Sequence, residues 1–193
     1  MLLEKYILFL EILGASTGIA GVWLTAKEHP SCFPLGLISV ASTFLLLNEQ
    51  GFYANALLQI VFAALLIAGW YQWIRKRVYG KLVVSELKKS NSAVIFIITL
   101  GAGFLAARYF ATFQGAQSPY LDGITACMSI TAQWLVAKKK IENWILWIVA
   151  NTIYIGMYLT SAMYIYAALY SVYLFLAING WQSWSVKLKQ NRL

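Results

Sequence analysis

The stretch NWILWIVANTIYIGMYL, residues 143–159, is almost wholly apolar and close to the length that a helix needs to cross a bilayer. Yet polar and aromatic side chains recur along it at steps of three and four residues, namely Trp144, Trp147, Asn151, Tyr154 and Tyr158. On a helix that spacing places all five on one face. An amide is costly in hydrocarbon unless it faces a bundle interior or a water-filled cavity, so the stretch predicts a membrane helix that lines a binding site.

The composition of the whole chain indicates the same environment. Of its 193 residues, 61% are hydrophobic and 11% are charged, whereas a soluble domain carries about 25% charged residues. The mean hydropathy is +0.67. We therefore expect an integral membrane protein. Cys32 and Cys127 have no motif spacing and His29 stands alone, so we expect no metal site, no disulfide and no cofactor.

Seven apolar stretches are candidates for membrane spans, at about 6–25, 33–48, 52–73, 93–113, 119–137, 143–159 and 161–184. Tight turns are expected at 47–51 and 160–162. Thirteen of the fifteen basic residues follow odd-numbered spans: Lys27; Arg75, Lys76, Arg77, Lys81, Lys88 and Lys89; Lys138, Lys139 and Lys140; Lys187, Lys189 and Arg192. Since positive residues stay cytoplasmic, we expect the N-terminus outside and the C-terminus in the cytoplasm. The expected location is a bacterial inner membrane. This placement explains the net charge of +8 without nucleic-acid binding.

The two halves of the chain match each other at a constant register. GVWLTAK (21–27) matches AQWLVAK (132–138), and AGWYQW (68–73) matches NGWQSW (179–184), each pair 111 residues apart. Equivalent spans are four crossings apart and point the same way. The predicted fold is therefore an all-α integral membrane protein of seven transmembrane helices in a parallel 3+1+3 repeat. The expected divisions are a first three-helix bundle (1–74), a basic cytoplasmic loop (75–92), a linker helix (93–113), a second three-helix bundle (114–185) and a cytoplasmic tail (186–193).

The repeat places polar and aromatic residues of two further spans on equivalent faces. It pairs Asn55 and Gln59 in span three with Tyr166 and Tyr170 in span seven, where Tyr173 continues the row. Together with the row in span six, these faces predict a substrate site between the two halves. Its expected residues are Asn55, Gln59, Trp144, Trp147, Asn151, Tyr154, Tyr166, Tyr170 and Tyr173.

Plainer interpretations remain open for several of these residues. Trp144, at the start of span six, fits an interfacial aromatic belt, and Asn151 fits a hydrogen bond to a neighbouring helix. The tyrosines of span seven also fit packing positions with satisfied hydroxyls. We place Glu11 and Asp122 in first helical turns, where the helix dipole favours acids; the alternative is an outer vestibule that attracts cations.

The segments IENWILWIVANTIY (141–154), AINGWQSW (177–184) and GFYANALLQIVFAALLIAGWYQW (51–73) closely resemble the PnuC-type vitamin transporters. The resemblance implies seven core helices in a 3+1+3 plan, like the SWEET sugar transporters, and facilitated diffusion without ion coupling. It also implies homotrimers, and uptake made one-way by a cytoplasmic kinase that phosphorylates the vitamin. Trp144, Trp147 and Asn151 match the family's substrate motif in span six, and Gln59 matches its glutamine in span three.

The family includes transporters of nicotinamide riboside, thiamine and riboflavin. Thiamine and nicotinamide riboside both carry a positively charged ring, which aromatic faces attract. The compact chain and the aromatic bias favour thiamine, as in the PnuT branch of the family; nicotinamide riboside is the alternative, and riboflavin is a weaker third. We do not expect an enzyme, because the sequence has no Ser-His-Asp set and no paired carboxylates in mid-span. A channel or membrane sensor is the alternative from a different class.

Overall fold

The computed structural model describes residues 2–49, 53–79, 82–112 and 119–190. These residues form seven helices: α1 (Leu2–Ala26), α2 (Cys32–Glu49), α3 (Tyr53–Tyr79), α4 (Lys89–Phe110), α5 (Pro119–Ala137), α6 (Glu142–Thr160) and α7 (Tyr164–Gln190). Each helix corresponds to one predicted span, but α4 ends at Phe110, before the predicted end at 113, and α7 begins at Tyr164, after the predicted start at 161. α3 and α7 continue past the predicted ends because Lys, Arg and Gln, which follow the apolar stretches, are good helix formers. The expected turn at 160–162 is present, whereas residues 50 and 51 of the turn at 47–51 lie outside the described residues.

Five helices in the described part of the chain are long and apolar enough to cross a membrane by themselves, namely α1, α2, α3, α4 and α7. α5 and α6 were expected to do so as well, but polar residues such as Asp122, Gln133 and Asn151 make them less apolar. Both are rich in buried residues. A helix that its neighbours cover presents little surface to lipid, so it needs a less apolar composition.

The helices form two compact units, Met1–Leu82 and Val83–Leu193. In the first unit α2 packs against both α1 and α3. The contact between α1 and α2 is close because small residues meet there. Ser39 Oγ donates a hydrogen bond to the carbonyl oxygen of Gly14 at 2.7 Å, and a Cβ on Gly21 would lie 3.5 Å from the amide nitrogen of Gly36.

The second unit contains α4 to α7, each packed against the next along the chain. Its core lies between α5 and α6 and consists of Met128, Ala132, Leu135, Leu146 and Ala150. α4, predicted as a linker, packs against α5 through two glycines, Gly103 and Gly123. A Cβ on Gly123 would lie 2.7 Å from the carbonyl oxygen of Gly103, so the two backbones are in direct contact.

Candidate functional site

The face of α6 that carries the aromatic row is packed inside the second unit. Trp144 is 1% exposed and Asn151 is 4% exposed. Trp147 and Tyr154 are half-buried and pack against the core between α5 and α6. The predicted row therefore lies on an inward-facing side of α6, away from the surface that faces lipid.

Asn151 is a buried amide that forms no hydrogen bond with any of the described residues. The interhelical hydrogen bond considered above is thus not formed within the described part of the chain. The amide nitrogens of two other asparagines in this unit do donate: Nδ2 of Asn143 to Lys140 O at 2.6 Å, and Nδ2 of Asn179 to Phe175 O at 2.9 Å. Oδ1 of Asn143 is buried and has no hydrogen-bond partner among the described residues. The hydrogen-bonding capacity of this amide is not used by the described residues, so Asn151 is a group that a bound ligand or water can satisfy.

Tyrosines of α6 and α7 form a continuous cluster close to Asn151 along the chain. The ring centroids of Tyr154 and Tyr170 are 4.7 Å apart, and those of Tyr158 and Tyr166 are 5.3 Å apart. Tyr170 also meets Tyr173 edge-on at 5.8 Å. The structure thus brings together all four tyrosines predicted for the site. It adds Tyr158, which belonged to the quoted row but was left out of the predicted site; its contacts with Tyr154 and Tyr170 place it at the centre.

Hydroxyl groups of α5 face this cluster and were not predicted. Thr125 and Ser129 lie one turn apart, are buried, and place their hydroxyls close to the phenol of Tyr154. The only sequence signal was their spacing of four on one helix face, which is common in membrane helices. Asp122, one turn before Thr125, is exposed in the first turn of α5, as expected, and lies near the same tyrosines.

Trp144 lies at the beginning of α6, away from the tyrosine cluster. Its indole fills the space left by the absent side chain of Gly180 on α7, where a Cβ would lie 2.5 Å from the ring. It meets Trp184 edge-on, with ring centroids 5.4 Å apart. The indole nitrogens of both tryptophans are buried and have no hydrogen-bond partner among the described residues.

The remaining predicted residues belong to the first unit. Gln59 is half-buried on α3, and the side chain of Asn55 lies outside the described residues. Glu11 is half-buried in α1, but it is not in the first helical turn, because the helix begins at Leu2 and continues through the polar residues that precede the apolar stretch. A site between the two halves stays a prediction. The described residues hold no group of three or more His, Cys, Asp or Glu suited to a metal ion.

Comparison with known proteins places the chain in a family. A family model described as "Nicotinamide mononucleotide transporter" matches residues 8–186. The chain is 26% identical over 202 residues to the "Nicotinamide riboside transporter PnuC" of Escherichia coli (strain K12), which covers 91% of this chain and 84% of that protein. It is 21% identical over 199 residues to the "Riboflavin/roseoflavin transporter RibM" of Streptomyces davaonensis, which covers 99% and 91%.

The fold is also that of a solved structure, the "Crystal structure of the Vitamin B3 transporter PnuC". The TM-score is 0.76 over 94% of this chain and 83% of that one, at 22% identity. These comparisons confirm the resemblance expected from the aromatic motifs. Because the family model spans nearly the whole sequence, this multi-pass membrane protein belongs to the nicotinamide mononucleotide transporter family.

Proposed function

We propose that this protein transports nicotinamide riboside across the membrane, and that Asn151, Trp147 and the tyrosines of α6 and α7 contact it. The observation that carries the proposal is the buried amide of Asn151, which has no hydrogen-bond partner among the described residues. A ribose hydroxyl can both donate to and accept from such an amide. The expectation of thiamine finds no support in the relatives named above, whereas one of them transports the riboside.

The aromatic groups on the Asn151 face of α6, and the tyrosines of α7 in contact with them, suit the other end of this substrate. The pyridinium ring of the riboside is positively charged, and the faces of Tyr154, Tyr170 and Trp147 attract a cation at about 0.5–2 kcal/mol each. No Asp or Glu lies in α6 beyond Glu142 in its first turn, or anywhere in α7. Such a site holds a cation without an ion pair, and the modest strength of these contacts is compatible with release on the far side of the membrane.

A free riboside fits the second unit better than its phosphorylated mononucleotide. Phosphate is normally bound by Arg or Lys. Residues 119–137, 142–160 and 164–186 contain neither of them. We therefore propose that this site binds the riboside, whose ribose carries no phosphate. The proposal also includes facilitated diffusion with cytoplasmic phosphorylation, a cytoplasmic C-terminus and a homotrimer, all of which are expected above.

Uptake into proteoliposomes tests the substrate. Labelled nicotinamide riboside should equilibrate across the membrane, and at zero membrane potential it should do so equally with or without a pH difference. Thiamine, riboflavin and the mononucleotide serve as competing candidates. Transport of any of these three compounds without transport of the riboside would refute the assignment.

A matched pair of asparagine variants tests the site. Asn151→Ala should weaken riboside binding at least tenfold, read by tryptophan fluorescence, because the variant loses the amide that the sugar is proposed to satisfy, a loss of about 1.5 kcal/mol or more. Asn179→Ala is the control, since that amide bonds to a carbonyl of its own helix, and it should bind as the wild type does. Equal affinities of the wild type and Asn151→Ala would show that the site is misplaced.

A further inference from the structure

Residues 83–88, which precede α4 and which we call the strap, form an extended segment attached to the α5–α6 turn. Ser85 N donates to Lys139 O at 3.1 Å, and Ile141 N donates to Ser85 O at 3.0 Å. Ser85 and Lys140 thereby form a single parallel β-bridge. Nζ of Lys140 also donates to Ser85 Oγ at 2.9 Å. The sequence predicted this region as part of a basic cytoplasmic loop, without any attachment.

Glu142 joins the strap to the first turn of α6. Its Oε1 accepts a hydrogen bond from Leu87 N at 2.7 Å. The second carboxylate oxygen, Oε2, is buried and has no hydrogen-bond partner among the described residues. A charge-assisted bond of this length is among the stronger hydrogen bonds in proteins, so it holds the carboxylate, and with it the start of α6, against the strap.

The strap is also part of the hydrophobic packing of the second unit. Val84 is 2% exposed. Leu87 packs against the core between α5 and α6, and Trp147 packs against the same core. Leu87, whose backbone N–H donates to Glu142, therefore contacts the same core as Trp147, a residue of the proposed substrate site.

We propose that Glu142 is a positioning residue: through the strap it fixes the N-terminal end of α6 and so sets where Trp147 and Asn151 stand. This rests on the proposed function for the identity of the substrate, but not for the attachment itself. The repeat pairs Glu142 with Ser31, which has no carboxylate. This attachment through Glu142 belongs to the second unit, whose α6 carries the aromatic row.

The test compares Glu142→Ala with Glu142→Gln, which keeps an oxygen that can accept from Leu87 N. Hydrogen exchange should become faster in Glu142→Ala at the amides of Leu87 and Ile141 and along the first two turns of α6, and stay unchanged at the start of α2. The dissociation constant for nicotinamide riboside should rise about three- to tenfold in Glu142→Ala. Glu142→Gln should restore both values to near those of the wild type.

The outcomes separate this inference from the proposed function. Unchanged exchange along α6 in Glu142→Ala, or faster exchange with unchanged riboside affinity, overturns the positioning role. A wild type that binds no riboside overturns the proposed function, while exchange along α6 still decides whether Glu142 fixes that helix. A maximal transport rate that falls with KM unchanged would also contradict positioning, because misplacing the site must weaken binding.

A disulfide supplies a second test that does not depend on the folding of Glu142→Ala. Ser85→Cys and Lys140→Cys, made with Cys32 and Cys127 replaced by Ala, place thiols on adjacent bridged residues, within the distances that a disulfide spans. If the strap stays on the α5–α6 turn throughout transport, the oxidised and reduced forms should transport the riboside equally. Transport lost on oxidation and regained with dithiothreitol would show that the strap must detach, which contradicts the inference.

Discussion

The turn between α1 and α2 and the turn between α5 and α6 share one backbone conformation. The residue at the apex of each has a left-handed backbone, with φ of 57° at Glu28 and 50° at Lys139, which are 111 residues apart. The hydrogen bonds around them correspond: His29 N to Leu24 O and Lys140 N to Leu135 O, both 2.9 Å; Cys32 N to His29 O at 3.0 Å and Asn143 N to Lys140 O at 3.2 Å. The repeat that the tryptophans indicate is thus present in the local structure of both units.

The packing of large rings is repeated as well. Phe33 meets Trp73 edge-on, with centroids 5.0 Å apart and an interplanar angle of 88°. Their equivalents Trp144 and Trp184 meet at 5.4 Å and 85°. All four side chains are at most 3% exposed. Edge-on aromatic pairs add about 0.5–1.5 kcal/mol beyond the burial of their area, so these positions stabilise each unit.

The units differ on the helix face next to these ring pairs. The repeat pairs Gly36 of α2 with Trp147 of α6, and Leu66 of α3 with Ala177 of α7. In the first unit Leu66 fills the space beside Gly36, where a Cβ would lie 2.9 Å from its Cδ2. In the second unit the large residue is on α6 instead. Residues shared by the repeat build the turns and the ring pairs, whereas the face that diverges carries the groups proposed to bind substrate.

The largest expected effect concerns α4, which has no counterpart in the first unit. Gly123→Ala would place a Cβ 2.5 Å from the backbone nitrogen of Ala107. Because a backbone cannot move aside as a side chain can, we expect a loss of about 2–3 kcal/mol in stability and a lower Tm in detergent.

Gly101→Ala is the matched control, since a Cβ there meets nothing within 4 Å. It should leave the Tm unchanged or raise it slightly, because Ala favours the helix over Gly. Equal changes in Tm for the two variants would mean that α4 and α5 are not in close contact at Gly123.

A smaller effect is expected at the ring pair. Gly180→Ala would place a Cβ 2.5 Å from the six-membered ring of Trp144, and Trp184 hinders the indole from moving away. We expect a loss of about 1–2 kcal/mol. Trp144→Phe installs the residue type that the first unit has at Phe33, and it removes the atoms in conflict. The double variant should therefore lose less stability than the sum of the two single variants, measured as a thermal double-variant cycle. Strictly additive losses would mean that the two residues do not touch.

The helices and the repeat could be predicted because each rests on a local signal. Apolar windows of membrane length locate the seven helices, and tryptophans at a constant register reveal the duplication. The position of Trp144 could not be predicted, because a tryptophan at a helix end looks the same in sequence whether it lies in an interfacial belt or fills a glycine notch. Only the fold shows Gly180 opposite it.

Long-range contacts account for the other omissions. The strap depends on contacts of Ser85 with Lys140 and of Leu87 with Glu142, each across 55 residues. The sequence of a basic loop contains no pattern that predicts such pairs. Thr125 was missed because hydroxyl residues are ordinary in membrane helices; its place beside Tyr154 follows from the packing of α5 on α6. The residues of the aromatic row, by contrast, were predictable because helical spacing alone puts them on one face.

The smallest expected effect tests the turn that follows α6. Ala162 has a left-handed backbone, with φ of 56°, and the repeat pairs it with Gly51, the residue type for which this conformation costs least. Ala162→Gly copies the first half of the sequence and should stabilise the protein by about 0.5–1 kcal/mol, because the strain of a left-handed alanine exceeds the entropy that glycine loses on folding. Ala168→Gly, at an exposed position inside α7, makes the same chemical change in a right-handed helix and should destabilise by about 1 kcal/mol. Opposite shifts in Tm for the two variants would locate the effect in the backbone conformation; shifts of the same sign would mean that the turn at Ala162 is not strained.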